Sequence, residues 1–250
     1  MADPIHQFVI TRLHDNPIVI NGYDLSFTNS ALWMVIGAVT STVFLTLAMR
    51  RGAIIPSRLQ IFAELTYEFI SKMVTDNIGH KGRHYFPFIF TLFMFVLMGN
   101  VLGLIPWSFT YTSHIAVTGI LAVLIFVIVI GFGIRNHGLH FFSLFLPANV
   151  PVLLIPLILP IEVISFFVRP LTLSVRLFAN MMAGHMLFKV IASFAVAAAS
   201  MGATWVALGI FPVFANTIML VFELLVAVVQ AYVFTILACV YLKDSVDIHH

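Results

Sequence analysis

The sequence predicts an all-α polytopic membrane protein. It should have about five membrane passes, a surface amphipathic helix, and a final pair of long, tilted, antiparallel helices. Three observations lead there. The 250 residues are 61% hydrophobic and only 9% charged, with a mean hydropathy of +1.08. A soluble domain carries about 25% charged residues, so lipid must cover most of this chain. Apolar runs of roughly 20 residues recur, the length that crosses a bilayer as a helix. The last such stretch, residues 148–242, is nearly five times that length. One membrane domain is expected over 1–250, with an extramembrane segment (1–30), three spans and their loops (31–147), and a long helical hairpin (148–242).

Taken in order, residues 1–30 hold Asp3, Asp15 and Asp24 against Arg12. The apolar run begins too late for a secretory leader, so this segment is expected to stay on the mature protein. Residues 31–49 form the first span, closed by Arg50 and Arg51. In 57–77, Leu59, Phe62, Leu65, Phe69, Ile70 and Met73 recur at helical spacing, with Arg58, Glu64, Glu68, Ser71 and Lys72 between them. That pattern predicts a helix lying on the membrane surface. Residues 86–105 are the second span, interrupted by Asn100 and ended by Pro106, and 113–134 the third, closed by Arg135. Residues 137–147 read as a loop. Beyond it, one helix over 148–242 would be about 140 Å long at 1.5 Å per residue. The break is placed at residues 201–204, around Gly202. Pro151, Pro156, Pro160 and Pro170 are expected to kink the first of the two resulting helices.

Basic residues set the orientation. Arg50, Arg51, Arg58, Lys72, Lys81 and Arg83 flank or fill the first long loop, Arg135 follows the third span, and Lys243 follows the last. The first long loop is therefore expected on the cytoplasmic or matrix side and the N-terminus on the other. Cys239 stands alone, so no internal disulfide can form and a packed small hydrophobe is expected. His80, His84, His137 and His140 flank loops without a metal-ligand spacing; neither metal nor cofactor is expected. The net charge of +2 gives no footprint for nucleic acid.

The chemistry lies in the last two helices. Glu162, Arg169, Arg176, His185, Lys189 and Glu223, with Asn180 and Gln230, interrupt otherwise apolar sequence. An ionisable group at mid-membrane costs at least ~2.5–3.5 kcal/mol, so such residues face protein or water and mark ion paths. Glu162, Arg169 and Arg176 are spaced by seven and drift only ~20° per step around a helix. Asn180 shares their stripe, whereas His185 points to nearly the opposite side. Folding the helices back about Gly202 and Ala203 sets His185 opposite Glu223, Arg176 opposite Gln230, and Glu162 opposite Lys243. Ridge packing can shift that register by a turn.

Several segments resemble subunit a of the F-type ATP synthases. The most specific is Leu173-Ser174-Val175-Arg176-Leu177-Phe178-Ala179-Asn180-Met181-Met182-Ala183-Gly184-His185. Segments 160–165 around Glu162, 97–106 around Asn100, and 223–234 from Glu223 through Gln230 match other recurrent stretches, and the resemblance runs over about 56–242. It implies two long helices curved around a ring of c subunits, with Arg176 facing the ring's carboxylates and Gln230 beside that arginine. It implies that His185 and Glu223 lie on the proton access path, together with Asn180 and Glu162. Some members carry a carboxylate and a histidine at those two positions in the reverse order, so the pair here is swapped.

By this resemblance the chain is the proton-translocating stator subunit of a rotary synthase, partnered by the c-subunit ring, peripheral-stalk b-type subunits, lipid and protons. The membrane is a bacterial inner membrane or a mitochondrial one. The chain is not an enzyme by itself. No Gly-x-x-x-x-Gly-Lys loop occurs in it, so nucleotide chemistry is expected in partner subunits. The alternative is a secondary transporter for a small anion, with Arg176 as the substrate-binding charge; such proteins tend to show repeated halves, and none stands out here.

Overall fold

The computed structural model describes residues 9–13, 19–20, 23–24, 26–50, 55–105, 108–138, 154–200 and 203–246. Among these residues, six α-helices carry the fold: α1 (Asn29–Met49), α2 (Arg58–Ile78), α3 (Phe86–Gly103), α4 (Ile115–His137), α5 (Ile155–Ser200) and α6 (Ala203–Val246). Two-residue strands, β1 (Val19–Ile20) and β2 (Tyr23–Asp24), pair antiparallel ahead of them. Among the described residues, five helices are long and apolar enough to cross a membrane: all but α2.

The sequence explains where these helices begin and end. The Asn29 side-chain oxygen accepts from the Ser30 and Thr11 N–H groups, and its amide donates to the Val9 carbonyl. The start of α1 is thereby tied to the preceding chain. Ser57 caps α2 by accepting from the Gln60 N–H at 3.3 Å. Gly79, at φ 79°, ends it with a bond to the Thr75 carbonyl, in a left-handed conformation that glycine adopts without a Cβ clash. Helix α3 stops at Gly103, two residues short of the expected end. Leu104 and Ile105 donate instead to the carbonyls three residues back, a tightened final turn. Helix α4 runs past the expected Ile134 to His137, so Arg135 and His137 occupy its last turn, where the helix dipole favours cations. Most of the expected 137–147 loop lies outside the described residues, as do Pro151 and Gly202.

The surface helix is more subtle than its sequence. Its apolar stripe divides into two faces. Ile70 and Met73 are buried in protein with Ala63, Val74 and Ile78, while Leu59, Phe62, Leu65 and Phe69 are exposed. The buried set fixes the helix to the fold, and even in the exposed set Phe62 meets Phe44 and Phe69 meets Phe93 and Tyr232.

Helix α5 has 46 residues and α6 has 44, against about 20 for a perpendicular crossing. Pro160 and Pro170 lie inside α5, and Pro212 inside α6. Each removes one backbone donor, a loss that membrane helices tolerate where neighbours or water satisfy the freed carbonyl.

Contacts sort the chain into two interleaved units. One comprises Met1–Thr42, Phe95–Ile115 and Leu177–Ala231; the other comprises Val43–Met94, Ala116–Arg176 and Tyr232–His250. The second is held by rings. Phe126 of α4 lies 5.0 Å from Phe166 and 5.1 Å from Phe167 of α5, and Phe166 meets Tyr241 of α6 edge-on. Ser174 donates to Thr118 at 3.1 Å, which satisfies two hydroxyls between buried surfaces. Cys239, in the same unit, is fully buried. The first unit holds the residues described next.

Candidate functional site

Within the first unit, α5 and α6 run antiparallel. Asn180 donates to the Gln230 side-chain oxygen at 3.2 Å, and His185 Nε2 lies 3.9 Å from Glu223 Oε1. The earlier residue on one helix thus meets the later residue on the other. His185 and Glu223 approach as the hairpin register predicts. Gln230 accepts on its side-chain oxygen from Asn180, one turn beyond Arg176 along α5.

His185 and Glu223 are 7% and 5% exposed. Their separation exceeds a hydrogen bond, so the two groups are near neighbours with room for adjustment. Glu223 Oε1 has no hydrogen-bond partner among the described residues. Its carboxylate lies against the bare backbone of Gly184, where a Cβ would come within 2.6 Å of Oε1. Glycine at 184 is therefore what lets the carboxylate approach α5 this closely.

Sequence reasoning missed Thr110. It sits in the connection between α3 and α4, where Ser108, Phe109, Thr110, Tyr111, Thr112 and Ser113 are all buried. Its hydroxyl is 3.0 Å from His185 Nε2. Tyr111 anchors the connection. Its hydroxyl donates to the Phe95 carbonyl at 2.9 Å, and its ring occupies the space that side chains at Gly37 and Gly99 would need. The run of hydroxyl residues between two apolar spans was the available signal.

A cavity of about 170 Å³ opens on the pair. Leu104 and Ile105 line it from the α3–α4 connection, His185 and Lys189 from α5, and Leu220 and Glu223 from α6. One water needs only about 10–15 Å³ by this measure, so the cavity can hold several. Two ionisable groups beside a cavity with room for water can receive and pass protons.

Asn100 is fully buried and donates to the Ala227 carbonyl at 3.1 Å. The polar interruption of the second span is thus a pin on α6, midway between Glu223 and Gln230.

The remaining sequence-predicted residues lie on α5 outside this unit. Arg176 is exposed. Glu162 lies 4.0 Å from Arg169, the two side chains being 38% and 44% exposed. Its ion partner is on its own helix, seven residues away. Among the described residues, no group of three His, Cys, Asp or Glu comes together to hold a metal.

Comparison with known proteins bears on the whole chain. A family model described as ATP synthase A chain matches residues 31–243. A protein named ATP synthase subunit a from Mesorhizobium japonicum is 50% identical over 249 residues, covering 100% of this chain and 98% of the relative. One of the same name from Parvibaculum lavamentivorans is 48% identical, covering 100% and 95%. Another from Rhodospirillum rubrum is 47% identical and covers both chains fully.

Proposed function

The chain belongs to the ATP synthase A chain family, whose members are proton-translocating subunits of the F-type ATP synthase complex, and on that premise we propose how its residues divide the work. The subunit is the stator wall of two half-channels. Each opens to one side of the membrane, and both lead to carboxylates on a ring of c subunits.

Arg176 is the fixed charge between them. A guanidinium keeps its proton at any working pH. A nearby cation favours the ionised form of a passing carboxylate, and it repels protons that would cross without the ring. Net transfer then requires rotation.

The observation that carries this reading is the buried His185–Glu223 pair, 3.9 Å apart beside a cavity of about 170 Å³. The α3–α4 connection lining that cavity falls on the N-terminal side of the membrane in the topology set by the basic residues. The pair therefore serves the half-channel open to that side. Along the sequence of α5, Glu162 precedes Arg176, and Arg176 precedes His185. Glu162 is assigned to the half-channel of the opposite side, with Arg176 between the two. Asn180 and Gln230 extend the polar path along the hairpin.

Peripheral-stalk b-type subunits hold this wall against the ring's torque, and nucleotide chemistry takes place elsewhere in the complex. The bacterial origin of the compared relatives favours a bacterial inner membrane. Family membership does not favour the anion-transporter alternative.

The test is Arg176→Ala in a complex shown to be fully assembled. ATP-driven acidification of vesicles should be lost, while an imposed potential still drives a passive proton leak. Arg176→Lys should keep part of the barrier and little coupled turnover, because a desolvated lysine can shed its proton. An assembled Arg176→Ala complex that pumps near the wild-type rate overturns the assignment.

A further inference from the structure

We propose that Thr110 is the positioning residue for His185: its hydroxyl keeps the imidazole turned toward Glu223 in each protonation state the relay passes through. This rests on the reading of His185 and Glu223 as proton-path groups.

The geometry is that of a two-way switch. Thr110 Oγ1 lies 3.2 Å from the Gly103 carbonyl, to which it donates, and 3.0 Å from His185 Nε2. A hydroxyl has one proton to give and two lone pairs that accept. When Nε2 carries a proton it donates to Oγ1, and the hydroxyl proton goes to the Gly103 carbonyl. When Nε2 is bare, the hydroxyl rotates and donates to it. The bond to the ring therefore survives both a change of tautomer and full protonation. A carbonyl acceptor would be lost in one state and an N–H donor in the other. Glu223 cannot supply this restraint, because 3.9 Å exceeds hydrogen-bond length.

Thr110 is itself well held. It is 2% exposed. Its carbonyl accepts from the Ser113 side chain at 2.6 Å and from the Ser113 N–H at 3.1 Å. Gly103 leaves the space that Thr110 fills, since a Cβ there would come within 2.6 Å of Thr110 Cγ2 and 2.7 Å of Oγ1. The hydroxyl is thereby presented from a fixed side chain to both the Gly103 carbonyl and His185 Nε2. The other ionisable groups facing this cavity are Lys189 from α5 and Glu223 from α6.

The experiment uses the assembled complex in lipid vesicles, with the soluble head removed, and measures passive proton flux under an imposed potential. Thr110→Val keeps the shape and loses the hydroxyl; it should lower flux about tenfold, the scale of one lost buried hydrogen bond. Thr110→Ser keeps the hydroxyl and should stay within about twofold of wild type. A purely packing role for the methyl group predicts the opposite order.

The second readout is the ¹⁵N spectrum of the histidine rings, with the His185 signal assigned by its loss in His185→Gln. Thr110→Val should shift that signal and Thr110→Ser should not. If Thr110→Val does not assemble, Thr110→Ala takes its place. Wild-type flux in the variant lacking the hydroxyl, equal impairment by Val and Ser, or an unmoved ring signal overturns the proposal. Glu223→Gln is run in parallel. If it also conducts as wild type, the proton-path reading fails. If it blocks flux while Thr110→Val does not, only the role of Thr110 fails.

Discussion

Helix α5 holds its ionisable residues in two contrasting settings. In its first half, Glu162 and Arg169 are 38% and 44% exposed, and Arg176 is exposed as well. In its second half, His185 is buried by this chain's own residues, against a glutamate that is also buried. The helix as a whole is long and apolar enough to cross a membrane. The difference follows the chemistry of the groups. A histidine or carboxylate can escape the cost of burial by changing its charge state, whereas an arginine cannot. His185 and Glu223 are enclosed, whereas Arg169 and Arg176 are left on a face for something else to cover, with the carboxylate of Glu162 beside them. An ionised group left to lipid costs at least ~2.5–3.5 kcal/mol. The exposed face therefore calls for water or an acidic partner.

The largest effect separating the two settings is expected at Glu223. Glu223→Gln keeps the shape and hydrogen-bonding capacity but cannot ionise. Among the described residues that line the cavity, Glu223 is the one carboxylate, so no other acid there can take over its task. Proton flux through the headless, assembled sector should fall about 100-fold, the low end of what a positioned acid–base group contributes. A control on a lipid-exposed position of α4, Val127→Ala, should leave flux unchanged. Flux in Glu223→Gln within twofold of that control would place the relay elsewhere.

A smaller effect tests whether the position of the carboxylate matters as well as its charge. In Gly184→Ala the new methyl would come within 2.6 Å of Glu223 Oε1 and 3.0 Å of Cδ. The glutamate is the flexible partner, so its carboxylate must swing away while the fold accommodates the change. Assembly should be normal and flux should drop about tenfold, since misplacing a reacting group by 1 Å is costly. Shortening the displaced side chain should help. Glu223→Asp in the Gly184→Ala background should conduct better than Gly184→Ala alone, a coupling that only neighbours show. Additive losses in the double variant would remove the steric explanation.

These two settings were unequally legible in sequence. The membrane class and five spans follow from hydropathy because lipid leaves few alternatives to helices. The His185–Glu223 approach was legible because helical rise is constant, so a hairpin break fixes what lies opposite what. Rise alone did not show that Asn180, one turn beyond Arg176, donates to the Gln230 carbonyl, because it does not resolve one turn of ridge packing. The apolar stripe of α2 read as one face and is two, since periodicity reports which residues avoid water, not whether lipid or protein covers them. Thr110 was legible only as one member of a hydroxyl-rich run. An irregular connection has no period, so nothing in the sequence says which way a hydroxyl in it points.

The smallest effect concerns the exposed end of α5, where two readings of Glu162 compete. As a member of the opposite half-channel, it passes protons. As the 4.0 Å neighbour of Arg169, it does no more than balance a charge. Exposed pairs are typically worth only about 0–1 kcal/mol, because solvent screens them and long side chains lose freedom in forming them. Glu162→Gln is therefore expected to reduce flux by only about two- to threefold, far less than Glu223→Gln, since water reaching an exposed site can replace much of what the carboxylate does. The double variant decides between the readings. If Glu162 matters only as a counter-ion, Arg169→Gln alone should mimic its loss, and Glu162→Gln with Arg169→Gln should recover wild-type flux because no unpaired charge is left. If Glu162 carries protons, Arg169→Gln alone should be mild, and the double variant should remain as slow as Glu162→Gln. The second pattern is expected here. Full recovery would confine the proton path of this chain to Arg176 and the enclosed groups beyond it, and would leave the exposed end of α5 with a purely electrostatic task.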